Sequence, residues 1–232
     1  MRHYEIVANG CLPYFINIED CPPNTLYLWP KQLTIESNQL YDEFIKKKIN
    51  ELTDTDIAKY NALVSRFLHY LKQHLTTRKM ASYILNQSNA SNAKNVLFLS
   101  SKISPDYLRC VTLHGFKTIL GDKCHDYPKI PHIYKSDTLP FHRLYGKGIT
   151  YTNLVDNALH NDALDASIET DIKRKYYDFV IYGSYHRGMP HYDLVCQYYN
   201  AEEIILLCGE DDHCCDSAKY VEKGHTVFVR EL

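Results

Sequence analysis

The chain has 232 residues, of which 26 are Lys or Arg and 28 are Asp or Glu, giving a net charge of −2. This length suits one large domain or two small ones. The near-neutral balance lacks the basic stripe that a nucleic-acid-binding surface would carry, so no nucleic-acid partner is expected. The sequence contains no run of about 18 apolar residues, so no membrane span is expected. Its first twenty residues include Arg2, Glu5, Glu19 and Asp20 in place of an apolar signal core, which predicts a cytoplasmic protein. Eight cysteines at irregular spacings do not read as a disulfide framework and fit reduced, buried thiols.

Taken in chain order, residues 1–8 read as a short helix carrying Arg2 and Glu5. Asn9-Gly10 breaks it, and a strand is expected over Leu12–Ile18. A Pro-rich loop follows, marked by Cys21-Pro22-Pro23 and Trp29-Pro30, with Leu33-Thr34-Ile35 as a further short strand and a helix over 39–52. Residues 54–86 carry the strongest helical pattern. Ile57, Tyr60, Val64, Phe67, Leu68, Leu71 and Leu75 recur at spacings of three and four, Asp54 or Thr55 is placed to cap the start, and Thr76-Thr77 interrupts the run before a second helix through Leu85. The small polar stretch that follows marks a boundary. The expected division is therefore a mostly helical segment at 1–88, a linker at 89–94 and an α/β domain at 95–232.

Beyond the linker, NVLFLS (95–100), DFVIY (178–182) and EIILL (203–207) are continuous apolar runs, as in strands buried on both faces. Helices are expected over 105–114, 153–165, 167–175, 190–199 and 217–223. Further short strands are expected over 117–120 and 225–229, and 122–148 reads as loop. Alternation of this kind predicts a Rossmann-like, mainly parallel sheet.

In such sheets ligands sit outside the carboxyl ends of the strands. Three loops qualify: Ser100-Ser101-Lys102, Gly183–Gly188 and Gly209–His213. Gly183, Ser184, His186 and Arg187 combine a tight turn, a hydroxyl, an imidazole and a guanidinium, which suits a phosphate or a sugar hydroxyl and equally suits an ordinary strand-to-helix turn. It is not a dinucleotide fingerprint, since G-x-G-x-x-G is absent. Glu210, Asp211, Asp212 and His213, followed by Cys214-Cys215, offer a base, a metal-ligand set or simply an acidic helix start. His125-Asp126 and His132 lie in the loop region, and without a G-x-S-x-G elbow they give little support to a hydrolase triad.

The opening segment reads R-x-x-E-x-x-x-x-G-C-x-P through Arg2, Glu5, Gly10, Cys11 and Pro13. It resembles the donor-site segment of GT-B-type glycosyltransferases, in particular the exostosin-like and spore-coat-like members. The alternative is a surface helix whose Arg2 and Glu5 pair at i, i+3. The resemblance implies that Arg2 approaches a donor diphosphate, Glu5 accepts from ribose hydroxyls and Gly10 permits close packing under a nucleotide. It also implies sugar transfer from a nucleotide-sugar donor to an acceptor hydroxyl, with no cofactor and no bound metal. The base would come from His186, Asp211 or His213, and the other cleft wall from Gly183, Ser184 and Arg187. The order of the two halves is reversed relative to one such enzyme, which implies a fragment or a junction between tandem transferase modules, with further modules as partners. A non-catalytic α/β module that binds a nucleotide or a protein partner is the alternative.

Overall fold

The computed structural model describes residues 2–210 and 216–230. The chain divides into two compact units, residues 1–76 and 77–232. The division falls ahead of the expected linker at 89–94, because the helix over 77–87 belongs with the sheet.

Unit one is helical: α1 (Arg2–Ala8), α2 (Lys31–Phe44) and α3 (Asp54–His74) surround a core of Val7, Trp29, Leu40, Leu63 and Phe67. The Trp29 indole N–H donates to Thr34 Oγ1 at 2.8 Å, which satisfies the ring's one polar atom inside the core. Thr53, not Asp54 or Thr55, caps α3. It accepts from the Asp56 N–H while the Asp56 carboxylate accepts from the Thr53 N–H. The strand expected over 12–18 does not form. Phe15 directs its N–H and C=O to the Asn38 side-chain amide, at 3.2 and 2.7 Å, so one side chain takes the place of a neighbouring strand. Leu33–Ile35, also expected as strand, lies within α2.

Unit two holds α4 (Thr77–Gln87), β1 (Val96–Leu99), α5 (Tyr107–Leu120), β2 (Cys124–Tyr127), α6 (Asp162–Asp165), α7 (Ile168–Lys173), β3 (Phe179–Tyr182), α8 (Tyr192–Tyr198), β4 (Ile204–Cys208), α9 (Ala218–Glu222) and β5 (Thr226–Val229). The five strands form one sheet in the order β2-β1-β3-β4-β5, every pair parallel. The three apolar runs are its three central strands, as their continuous burial requires. One face, with Val96, Phe98, Ile181 and Ile205, packs against α4 and α5. The other, with Leu97, Leu99, Val180 and Tyr182, packs against α7 and α8. Helices cover both faces, which makes this a doubly wound α/β fold.

The helix α4 joins this unit by burying Ala81, Ile84 and Leu85 beside Leu113 and Phe116 of α5. Gly115 makes the approach possible: a Cβ there would lie 2.2 Å from the Thr77 carbonyl oxygen. Thr77 Oγ1 also meets His114 Nδ1 at 2.8 Å.

Two further expectations fail in this unit. Residues 117–120 are the last turn of α5 instead of a strand, ended by Gly121 at φ +60°. The strand lies just beyond, at 124–127, within the stretch expected as loop. Most of 153–165 is irregular, because Asp156 and Asn161 each cap a new short turn, at 157–159 and in α6.

Strand β2 is a sheet edge and carries polar residues that are nevertheless buried. Asp126 Oδ1 accepts from the Tyr134 hydroxyl and lies 2.8 Å from Lys117 Nζ and 3.0 Å from His160 Nδ1. Burial alone would raise the Asp126 carboxyl, but His160, Lys117 and Tyr134 outweigh it and hold the group well below the usual carboxylate range. Cys11, Cys21, Cys110, Cys124 and Cys196 are free thiols, whereas Cys208 is disulfide-bonded, contrary to the expectation of reduced thiols throughout. No helix among the described residues is long and apolar enough to cross a membrane.

Candidate functional site

The strand order reverses between β1 and β3. From β1 the chain continues through α5 on one face, and from β3 through α8 on the other. The carboxyl ends of these neighbours therefore diverge into a crevice, the place where doubly wound sheets bind ligands.

Asp106 is the centre of what lies there. It caps α5, its Oδ1 accepting from the Arg109 N–H at 3.0 Å. Its Oδ2 accepts from the Ser184 hydroxyl at 2.8 Å and lies 3.0 Å from Arg187 Nε. His186 Nε2 stands 3.9 Å from the same oxygen and 3.4 Å from Glu210 Oε2. The loop after β3 thus delivers Ser184, His186 and Arg187 to the carboxylate that follows β1, and His186 also meets Glu210 of the loop after β4.

The backbone is shaped for this. Arg109 is fully buried, and its guanidinium donates to the carbonyls of Lys102 and Ser104, which pins the loop after β1. Gly183 sits where a Cβ would be 2.3 Å from the Phe98 ring and 2.9 Å from Arg109 Cγ, so only glycine fits. Gly188 takes φ +117° against Ser101.

His186 has the chemistry of a proton carrier. Its side chain is 7% exposed, and burial lowers its pKa, against the opposing pull of Asp106 and Glu210. Arg187 Nε lies 3.3 Å from Nε2, so this nitrogen either accepts from Arg187 or donates to Glu210. Nδ1 is buried without a hydrogen-bond partner. Because Nδ1 is sealed, Nε2, on the side of Arg187 and Glu210, is the nitrogen that would exchange a proton with a ligand. Arg187 and Glu210 keep 37% and 42% of their side chains exposed, which makes the cluster reachable.

The sequence-predicted residues divide between the units. Gly183, Ser184, His186 and Arg187 come together, joined by Asp106, Arg109 and Glu210. Glu5 and Gly10 belong to unit one. Glu5 is half-buried on α1, and Gly10 takes φ +76° with open space where a Cβ would stand, so its freedom serves the turn and not a close approach. Beside it lies a cavity of about 190 Å³ lined by Cys11, Pro13, Tyr14, Tyr41 and Phe44 among others. The side chain of Arg2, and Asp211 and His213, lie outside the described residues. Pattern alone does not reveal Asp106, although its place after Pro105 and before a helix is a cap signal.

Comparison with known protein families, curated proteins and solved structures gave no match.

Proposed function

We propose that the chain is a glycosyltransferase or part of one, moving a sugar from a nucleotide-sugar donor to an acceptor hydroxyl. The observation that carries this is His186, held beside Asp106 and Glu210 where the loops after β1, β3 and β4 meet. The acceptor O–H proton passes to the imidazole as the new bond forms at the anomeric carbon and the nucleoside diphosphate leaves. Arg187 and the Ser184 hydroxyl supply hydrogen bonds to the donor. Carboxylates interleaved with a guanidinium suit hydroxyl-rich ligands better than a bare polyanion, because Asp106 already fills the anion seat at the start of α5.

The test is transfer and donor hydrolysis by the full chain across a panel of nucleotide sugars. His186→Ala should abolish turnover while leaving donor affinity within a few-fold. Absence of transfer and hydrolysis with every donor would favour the second reading, a non-catalytic module that binds a nucleotide or a protein partner. One observation supports that alternative: Ser184 and Arg187 already satisfy the Asp106 carboxylate from within.

A further inference from the structure

A second cluster lies at the outer edge of the sheet, away from the crevice. His160 Nε2 faces two carboxylates, Asp162 Oδ1 and Asp165 Oδ2, each at 3.4 Å. The donor atoms of these three residues all lie within 4.8 Å of one another. Two carboxylates converge on this one ring nitrogen, like charge against like charge. A cation between them removes the conflict. With bonds of about 2.0–2.1 Å, a tetrahedral zinc ion sets its ligand atoms about 3.3 Å apart, close to these separations.

His160 is also oriented as a ligand would be. Its side chain is fully buried, and Nδ1 lies 3.0 Å from Asp126 Oδ1. That bond fixes the proton on Nδ1 and turns the Nε2 lone pair toward Asp162 and Asp165, the carboxylate–histidine–metal arrangement. Asp126 is held in turn by Lys117 and Tyr134.

An independent observation points the same way. His125, on β2, has a side chain only 2% exposed, and its Nε2 lies 3.0 Å from Asp165 Oδ1. Neither atom makes a hydrogen bond. A buried imidazole nitrogen thus points into the cluster at a carboxylate oxygen without making a hydrogen bond to it. Asp162, 84% exposed, opens the cluster to solvent and gives an ion its way in. Lys129 Nζ stands on that outer side, 3.8 Å from Asp162.

We propose that His160, Asp162 and Asp165 bind a divalent transition metal ion, with zinc as its first candidate, and that His125 holds Asp165 from its other oxygen. Asp126 positions His160 and is not itself a ligand. Mixed imidazole and carboxylate donors with one open side suit zinc or another borderline divalent ion.

The test uses the full chain, stripped with chelator and then given zinc or cobalt(II). One equivalent of zinc should survive dialysis, and cobalt should give visible d–d bands without the intense near-ultraviolet charge transfer of thiolate ligands. Asp162→Asn, at an exposed position that leaves the fold intact, should weaken zinc affinity at least about tenfold, and Asp126→Asn about 10- to 100-fold. Folding of each variant is checked by circular dichroism. Failure of the folded chain to retain zinc or develop cobalt bands would overturn the proposal. So would thiolate charge transfer, which would put the ion on cysteines, or unchanged affinity in Asp162→Asn.

Discussion

Asp106 and Asp126 are surrounded by the same kinds of partner and live in opposite circumstances. Each meets a hydroxyl (Ser184 or Tyr134), a cation (Arg187 or Lys117) and a histidine (His186 or His160). Around Asp126 the cation and histidine are sealed, with Lys117 at 1% and His160 at 0% side-chain exposure. Around Asp106 the cation is more than a third exposed, and the carboxylate sits at the start of a helix where loops converge. Chemical inventory therefore does not separate a reachable site from a structural anchor. Depth and position in the sheet do. At the strand's carboxyl end the partners can be exchanged for a ligand, whereas beside the edge strand they hold α5 and the 130–160 segment against β2.

The largest expected effect breaks the buried member. Asp126→Ala leaves Lys117 uncompensated in the interior and should cost about 3–5 kcal/mol, read by urea unfolding. A loss no greater than that of Arg187→Ala would erase the distinction between anchor and site. Next, Gly183→Ala should cost about 1–3 kcal/mol, because the added methyl meets the Phe98 ring and the stem of buried Arg109. Wild-type stability in that variant would mean that the crevice floor is looser than its contacts imply.

A smaller handle is pH. His132 packs against Cys110 and Tyr151 on the α5 side of the sheet, and burial, then the Arg109 charge, lowers its pKa to about 4. The unfolded chain binds that proton near pH 6.5, so stability is full above that value and falls as pH drops toward 4. His132→Asn should flatten this part of the profile in pH-dependent unfolding. An unchanged slope would assign it to other groups. Smallest of all, Arg187→Ala should change stability by less than about 1 kcal/mol, as expected for a partly exposed pair. The same substitution should weaken binding at the crevice, measured by nucleotide-sugar titration, and loss of fold in place of loss of binding would make Arg187 an anchor too.

What was legible in the chain followed the apolar effect. NVLFLS, DFVIY and EIILL announce buried strands because nothing polar interrupts them, and the loops after them mark the crevice once the sheet is known to be parallel. Strand β2 was illegible for the complementary reason. Cys-His-Asp-Tyr reads as loop, since the groups that make His125 and Asp126 tolerable inside, Lys117, Tyr134, His160 and Asp165, come from separate turns of the chain. Residues 12–18 misled in the opposite direction. Their aromatic and β-branched residues suit a strand, but the strand's hydrogen bonds are supplied by Asn38, which no local pattern reveals. The centre of the crevice escaped notice because Asp106 reads as a helix cap, and its second oxygen is available to Ser184 and Arg187 only after folding.

Gly115 also determines where this chain can be cut. Because α5 runs so near the Thr77 carbonyl, α4 is a wall of the α/β unit and not a tether leading to it. A cut within 89–94 would strip that wall away and turn Leu113 and Phe116 toward water, producing a sticky, aggregation-prone protein. A cut just ahead of Thr77 keeps the wall with the sheet, and the piece from 77 onward is the one worth expressing.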